Sequence, residues 1–169
     1  RNVAKPKESD SVSEKIYRAG VIGLGVMGSI ADGLGGRHPE WFSPCCHAEA
    51  YRFHARTKLA AGSTRDPGRQ ALFREKYGDL PVYEDYREML VQEGLDIVSI
   101  ATPATCHAEM VIAAAEAGVR GIYCEKAMAT SLAECDAMIE SCKAKRHCAG
   151  YRLYAALGRP LSLFAAPGG

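Results

Sequence analysis

Short apolar runs alternate with longer segments of helical periodicity along most of this chain. The apolar runs are typical of buried strands, and they lie at 16–22, 59–63, 81–83, 96–101 and 119–124. The segments between them are typical of helices. One helix begins near Val26, and the others span 47–54, 67–77, 85–93, 107–117 and 131–144. This alternation predicts an α/β fold, a doubly wound parallel sheet with helices on both faces in three α/β/α layers.

Residues that cap helices support these boundaries. Asp66 followed by Pro67 predicts a helix start, and Ser131 with Glu134 forms the pattern of a capping box. The polar stretch 1–15 is predicted to be a flexible tail. We expect the folded domain to span 16–146 and an irregular C-terminal tail to occupy 147–169.

The composition narrows the function classes. Of the 169 residues, 47% are hydrophobic, enough to build the core of one domain. The formal net charge of +1 argues against a nucleic-acid-binding surface, and the apolar runs are too short to cross a membrane. Seven cysteines without regular spacing indicate reduced thiols, so we expect a cytoplasmic protein.

Two clusters contain residue types that bind metals. They are Cys45-Cys46-His47, and Cys142 with His147 and Cys148. Neither cluster supplies a C-x-x-C pair, and zinc sites normally draw four ligands from recognisable spacings. We therefore predict no metal site and interpret Cys142 as part of the apolar stripe of a helix.

The clearest functional motif is a glycine-rich turn after the first predicted strand. It reads Gly23-Leu24-Gly25-Val26-Met27-Gly28, a complete G-x-G-x-x-G that opens a predicted helix. The three glycines allow a tight turn, close approach of a pyrophosphate and close packing of helix on strand, in that order. The free N–H groups of the helix N-terminus also favour phosphate. The alternatives are a glycine turn that binds nothing and a methyltransferase-type nucleotide loop.

The residues after the second predicted strand bear on the choice between NAD and NADP. A carboxylate there would bind the adenosine ribose, whereas an arginine would accommodate a 2′-phosphate. Here Thr64 stands in the expected position of the acid, Arg65 follows it, and Asp66 is better explained as a helix cap. This favours NADP over NAD, although Thr64 lies 36 positions after Gly28 and the usual spacing is ~20.

Three landmarks in order resemble the Gfo/Idh/MocA family of NAD(P)-dependent oxidoreductases. They are the glycine motif 23–28, Ala101-Thr102-Pro103 with His107, and Cys124-Glu125-Lys126, each of which follows a predicted strand. The resemblance covers roughly 16–145. It implies a Rossmann domain that binds NAD(P), and an intact enzyme that acts on the hydroxyl group of a sugar, cyclitol or polyol. It also implies that the intact enzyme can be a homo-oligomer.

The resemblance assigns roles to five residues outside the glycine motif. Thr102 and Pro103 would shape the loop beneath the nicotinamide ribose, with His107 nearby, and Glu125 would contact the cofactor. Lys126 would face both nicotinamide and substrate as the catalytic residue, since a lysine beside a hydroxyl can lower its pKa or hold it for hydride transfer. Without the resemblance, Lys126 is a solvated surface lysine and His107 a helix-start residue with local hydrogen bonds.

The sequence departs from the family in two places. The family normally has proline after the Glu-Lys pair, where this chain has Ala127, so we expect a trans peptide bond there. The family's second, α+β domain, which carries the substrate pocket, has no counterpart in this sequence. We therefore interpret the chain as a fragment that is inactive by itself. The alternative is a non-catalytic dinucleotide-binding or regulatory module, or a decayed gene product.

Overall fold

Six parallel strands form the central sheet of the computed structural model, which describes residues 15–30, 46–144 and 152–155. The spatial order is β3-β2-β1-β4-β5-β6. In chain order the strands are β1 (Tyr17–Ile22), β2 (Thr57–Ser63), β3 (Val82–Tyr83), β4 (Ile97–Ile100), β5 (Gly121–Cys124) and β6 (Arg152–Ala155). The chain moves outward in one direction from β1 and then outward in the other from β4. This doubly wound arrangement agrees with the prediction.

Helices cover both faces of the sheet. A π-helical turn, Val26–Ile30, and a 3-10 turn, Ala104–Cys106, accompany α1 (His47–Phe53), α2 (Pro67–Tyr77), α3 (Tyr86–Gln92), α4 (His107–Glu116) and α5 (Leu132–Ala144). The predicted caps are present. Asp66 accepts hydrogen bonds from the backbone N–H groups of Gly68 and Arg69, and Ser131 and Glu134 form the reciprocal pair that opens α5.

Two hydrophobic clusters fill the spaces between the layers. Neighbouring residues of β1 point to opposite faces, as strand geometry requires. Ile22 belongs to the cluster beneath α3, α4 and α5, whereas Val21 packs with Phe73 and Ala48 beneath α1 and α2. Burial on both faces explains why these strands have continuous apolar sequences rather than alternating ones.

The C-terminal boundary differs from the expected one. Residues 152–155 lie within the stretch predicted to be irregular, yet they form β6, which pairs in parallel with β5 from Gly121 to Cys124. Four residues are too few to form a stable strand alone. They form a strand because the unpaired N–H and C=O groups along β5 supply hydrogen-bonding partners. The sheet therefore continues past residue 146.

Candidate functional site

Backbone hydrogen bonds align the carboxyl ends of four adjacent strands. The Gly23 amide donates to Ser63 at the end of β2 (2.9 Å), and the Ala101 amide donates to Ile22 at the end of β1 (2.8 Å). The Glu125 amide then donates to the carbonyl oxygen of Ile100 at 3.0 Å. The loops after β2, β1, β4 and β5 thus share one edge of the sheet. The strand order reverses between β1 and β4, and ligands of open α/β sheets bind in the crevice at such a point.

The glycine motif forms a tight turn at that crevice. Gly23 has a φ of +92°, and a Cβ there would lie 2.6 Å from the carbonyl oxygen of Ala101. A Cβ on Gly28 would lie 1.9 Å from the carbonyl oxygen of Gly23. Both positions therefore require glycine for backbone geometry and packing, as the motif predicts.

The remaining residues of the motif divide between core and surface. Leu24 is fully buried, whereas Val26 and Met27 are about half exposed. Among the residues that the structure describes, only the Arg69 side chain comes near Gly25, with its Nη1 atom 3.4 Å from the position of an added Cβ. Within the described part of the chain, little therefore covers the backbone at Gly25, and a guanidinium group lies beside it.

The residues after β2 agree with the interpretation of Asp66 as a helix cap. Thr64 follows the strand directly, and its amide donates to the carbonyl oxygen of Tyr83 (3.0 Å). Asp66 Oδ1 accepts the two amides of α2 at 2.9 and 3.2 Å, and Asp66 Oδ2 lies 3.4 Å from Arg69 Nε. Arg65 is exposed. The long connection between Gly28 and Thr64 thus leaves Thr64 at the end of β2, where the sequence analysis expected it.

His107 lies behind the crevice rather than in it. The ring is fully buried, with Nε2 2.8 Å from the carbonyl oxygen of Thr102 and Nδ1 2.8 Å from that of Ala127. Carbonyl oxygens only accept hydrogen bonds, and a neutral imidazole carries a single N–H, so in its neutral form the ring donates to one of the two carbonyls and lies in contact with the other. His107 therefore joins the loop after β4, which contains Pro103, to the loop after β5.

The peptide bond between Lys126 and Ala127 is cis, so the expectation of a trans bond is wrong. That expectation rested on the local preference of alanine. In the folded chain this bond belongs to a loop held by tertiary contacts, and the Ala127 carbonyl oxygen faces the buried His107 ring. The bond is therefore cis in this chain even though Ala127 stands where the family normally has proline.

The Glu125 carboxylate is held from two sides, whereas the neighbouring lysine is not. Oε1 of Glu125 lies 2.9 Å from Nε2 of His47, and Oε2 accepts the backbone N–H of Lys126 at 3.3 Å. The Lys126 side chain is exposed, and its ammonium group has no hydrogen bond or ion pair to any residue that the structure describes.

The cysteine next to Glu125 is a core residue. Cys124 is fully buried, and burial, with the nearby Glu125 charge, raises the pKa of its thiol to about 12. At neutral pH it remains a protonated thiol that packs in the core.

The parts of the chain that the structure describes contain no group of three or more potential metal ligands. Cys45, His147 and Cys148 lie outside those parts.

Several residues that lie at this edge or directly behind it were not identified from the sequence. His47 was considered only as a metal candidate, and Ser99, Tyr51 and Arg69 were not considered. The positions of His47 and Tyr51, four apart on α1, place both on one helix face. That spacing was the one available signal, and it does not identify Glu125 as the partner.

Comparison with known proteins establishes the class. Residues 17–152 match the oxidoreductase family with an NAD-binding Rossmann fold, GFO_IDH_MocA. The chain therefore belongs to the Gfo/Idh/MocA oxidoreductases, and its sheet with the glycine motif is their NAD-binding Rossmann domain.

Individual relatives agree with this assignment. Myo-inositol 2-dehydrogenase of Thermotoga maritima is 32% identical over 75% of this chain and 33% of its own length. D-xylose 1-dehydrogenase (NADP(+)) of Hypocrea jecorina is 35% identical over 40% of this chain and 17% of its own. A solved oxidoreductase from Agrobacterium radiobacter, in complex with NAD+, L-tartaric acid and magnesium, is 25% identical with a TM-score of 0.65, covering 83% of this chain and 35% of that one.

This chain spans about a third of the length of the first of these relatives. In the parts that the structure describes, no helix combines the length and the apolar character needed to cross a bilayer.

Proposed function

We propose that this chain is the cofactor-binding region of an oxidoreductase that transfers hydride between a nicotinamide and a hydroxyl-bearing carbon of a sugar, cyclitol or related polyol. One observation carries the proposal. The glycine turn at Gly23, the loop at Thr102 and the Glu125-Lys126 pair occupy adjacent strand ends at the point where the strand order reverses. The names of the relatives, which include inositol and xylose dehydrogenases, support the substrate class.

The crevice fits a dinucleotide. A pyrophosphate needs bare backbone and positive charge, and Gly25 offers both through its missing side chain and the nearby Arg69 guanidinium. The loop after β4, which contains Thr102 and Pro103, is supported from behind by His107. That loop therefore has a defined shape on the nicotinamide side of the crevice.

The Glu125-Lys126 pair divides two tasks. Each carboxylate oxygen of Glu125 keeps a lone pair beyond the hydrogen bonds already described. This lone pair can accept a hydrogen bond from a ribose hydroxyl. The ammonium group of Lys126 is exposed and can hold the substrate hydroxyl or stabilise its alkoxide. When bound, the nicotinamide supplies the hydride chemistry. Lys126 then acts on the proton and orientation of the substrate hydroxyl.

NADP is the favoured cofactor. Asp66, the carboxylate nearest to the end of β2, is engaged by the amides of α2 and by Arg69. No carboxylate precedes it after the strand, where Thr64 and Arg65 stand. A threonine hydroxyl with arginines nearby suits a 2′-phosphate better than a free 2′-hydroxyl.

Titration of the 169-residue chain tests cofactor binding. The emission of NADPH or NADH is followed as protein is added, and we expect saturable binding of both with a lower Kd for NADPH. We also expect the isolated chain to oxidise no polyol. Absence of saturable binding of either nucleotide would overturn the proposal.

Arginine variants test the preference for NADP. Arg65→Ser should raise the Kd for NADPH by about tenfold or more, corresponding to ~1.4 kcal/mol, and leave the Kd for NADH within about twofold. Arg74→Ser is the matched control, because Arg74 is exposed in the last turn of α2, away from the start of that helix. Equal effects on both nucleotides would refute the assignment of Arg65 to the 2′-phosphate.

A further inference from the structure

A chain of polar side chains lies behind Glu125 and extends to α1. The side chains of His47 and Glu125 are 14% and 13% exposed, and they meet at 2.9 Å between Nε2 and Oε1. On the other side of the imidazole, Nδ1 lies 3.3 Å from Oγ of Ser99. The hydroxyl of Tyr51 lies 2.6 Å from that same Oγ. Four side chains from α1, β4 and the end of β5 are thus connected.

One assignment of protons satisfies every member of this chain. The carboxylate of Glu125 only accepts, so Nε2 of His47 is the donor. In a neutral imidazole Nδ1 then accepts from the Ser99 hydroxyl, whose oxygen accepts from Tyr51. Burial raises the pKa of Tyr51 to about 12, so the phenol keeps its proton at neutral pH. With a neutral imidazole, the hydrogen bonds therefore run in one direction, from Tyr51 to Glu125.

Packing also fixes the imidazole. The ring of Tyr123, from β5, contacts His47 with 4.9 Å between ring centroids and a tilt of 56°. Ser99 is 1% exposed and lies in the middle of the sheet. His47 can hardly rotate without breaking two hydrogen bonds and this ring contact. Its Nε2 is thereby aimed at Glu125.

We propose that His47 is a positioning residue that, with Ser99 and Tyr51 behind it, sets the orientation of the Glu125 carboxylate toward the nicotinamide half of the cofactor. The inference rests on the proposed function, in which Glu125 contacts that half. With Oε1 held by His47 and Oε2 by the Lys126 amide, the carboxylate has one orientation. The backbone that carries the Lys126 ammonium is held by the same contact.

The test separates the two halves of the cofactor. His47→Ala removes the donor to Glu125, so we expect the Kd for NADPH to rise by about tenfold. The Kd for 2′,5′-ADP, which lacks the nicotinamide ribose, should stay within twofold. His47→Gln keeps one donor and one acceptor and should recover most of the loss. The emission maximum of bound NADPH should shift in His47→Ala and return toward wild type in His47→Gln.

Two further variants distinguish a loss of positioning from a general loss of structure. Tyr51→Phe keeps the ring and removes only the far end of the chain, so it should raise the Kd for NADPH by a smaller factor, about twofold to threefold. His54→Ala is the matched control, because His54 lies exposed at the end of α1 and should change neither Kd.

The outcomes distinguish this inference from the proposed function. If wild type binds NADPH and His47→Ala binds it equally well, or weakens NADPH and 2′,5′-ADP alike, the positioning role is refuted and the proposed function stands. If wild type binds no nicotinamide nucleotide, the proposed function fails and this inference fails with it. Selective loss of NADPH with recovery in His47→Gln supports both.

Discussion

Gly25 and Gly28 belong to one motif, yet the structure predicts opposite consequences for the same substitution. Of the described residues, a Cβ on Gly25 would contact only the half-exposed Arg69 guanidinium, at 3.4 Å, and a flexible side chain can move away. A Cβ on Gly28 would lie 1.9 Å from the backbone oxygen of Gly23, which cannot move without opening the turn. Alanine should therefore affect binding at Gly25 and folding at Gly28.

The magnitudes follow from these contacts. For Gly25→Ala, the Arg69 side chain can move to relieve the contact, so the free energy of unfolding should change by no more than about 0.5 kcal/mol. This corresponds to ~1–2 °C in Tm for a domain of this size. For Gly28→Ala, forced backbone movement in a packed turn costs roughly 3 kcal/mol, or about 6–12 °C in Tm. The Gly25 methyl would occupy the approach path of a pyrophosphate, so NADPH affinity should fall at least about tenfold, ~1.4 kcal/mol.

Two measurements on each variant separate these effects. Thermal unfolding followed by circular dichroism gives Tm, and NADPH titration gives Kd. Gly25→Ala with wild-type Tm and wild-type Kd would show that the turn does not receive the pyrophosphate. Gly28→Ala with an unchanged Tm would refute the packing argument for the third glycine.

Three further predictions concern stability. His107→Ala removes a buried ring that contacts the carbonyl oxygens of two loops and leaves a cavity, so the free energy of unfolding in urea should fall by roughly 2–4 kcal/mol; a change below about 1 kcal/mol would show that the ring does not hold the loops together. Asp66→Ala removes the cap of α2 and should cost about 1 kcal/mol, seen as a Tm ~2–4 °C lower, whereas an unchanged Tm would mean that solvent replaces the cap. Burial opposes the charge of Asp96, but hydrogen bonds from Lys15 and the Arg18 amide outweigh it and lower its pKa. The charged Asp96 side chain then stabilises the fold above the unfolded pKa of ~4, and this stabilisation is lost as pH falls through the lower pKa of the folded chain. Asp96→Asn should therefore reduce the dependence of the unfolding free energy on pH in the acid range. An unchanged acid slope would contradict the lowered pKa of Asp96.

Local rules account for what the sequence determined. The order of strands and helices, the caps at Asp66 and Ser131, and the turn at Gly23 depend on residues within a few positions of one another. Hydrophobic periodicity and the steric limits of the backbone act at that range. The doubly wound sheet could be predicted because buried strands alternate with helices throughout.

Only the tertiary structure decided which distant residues meet at the sheet edge. His47 and Glu125 are 78 positions apart, and their contact depends on where α1 packs against the sheet. Arg69 reaches Gly25 through the packing of α2, and the Lys126–Ala127 bond is cis in a loop that His107 supports. Strand β6 forms on the free edge of β5. Each of these features is set by the packing of whole elements, and no local preference of the residues involved specifies it.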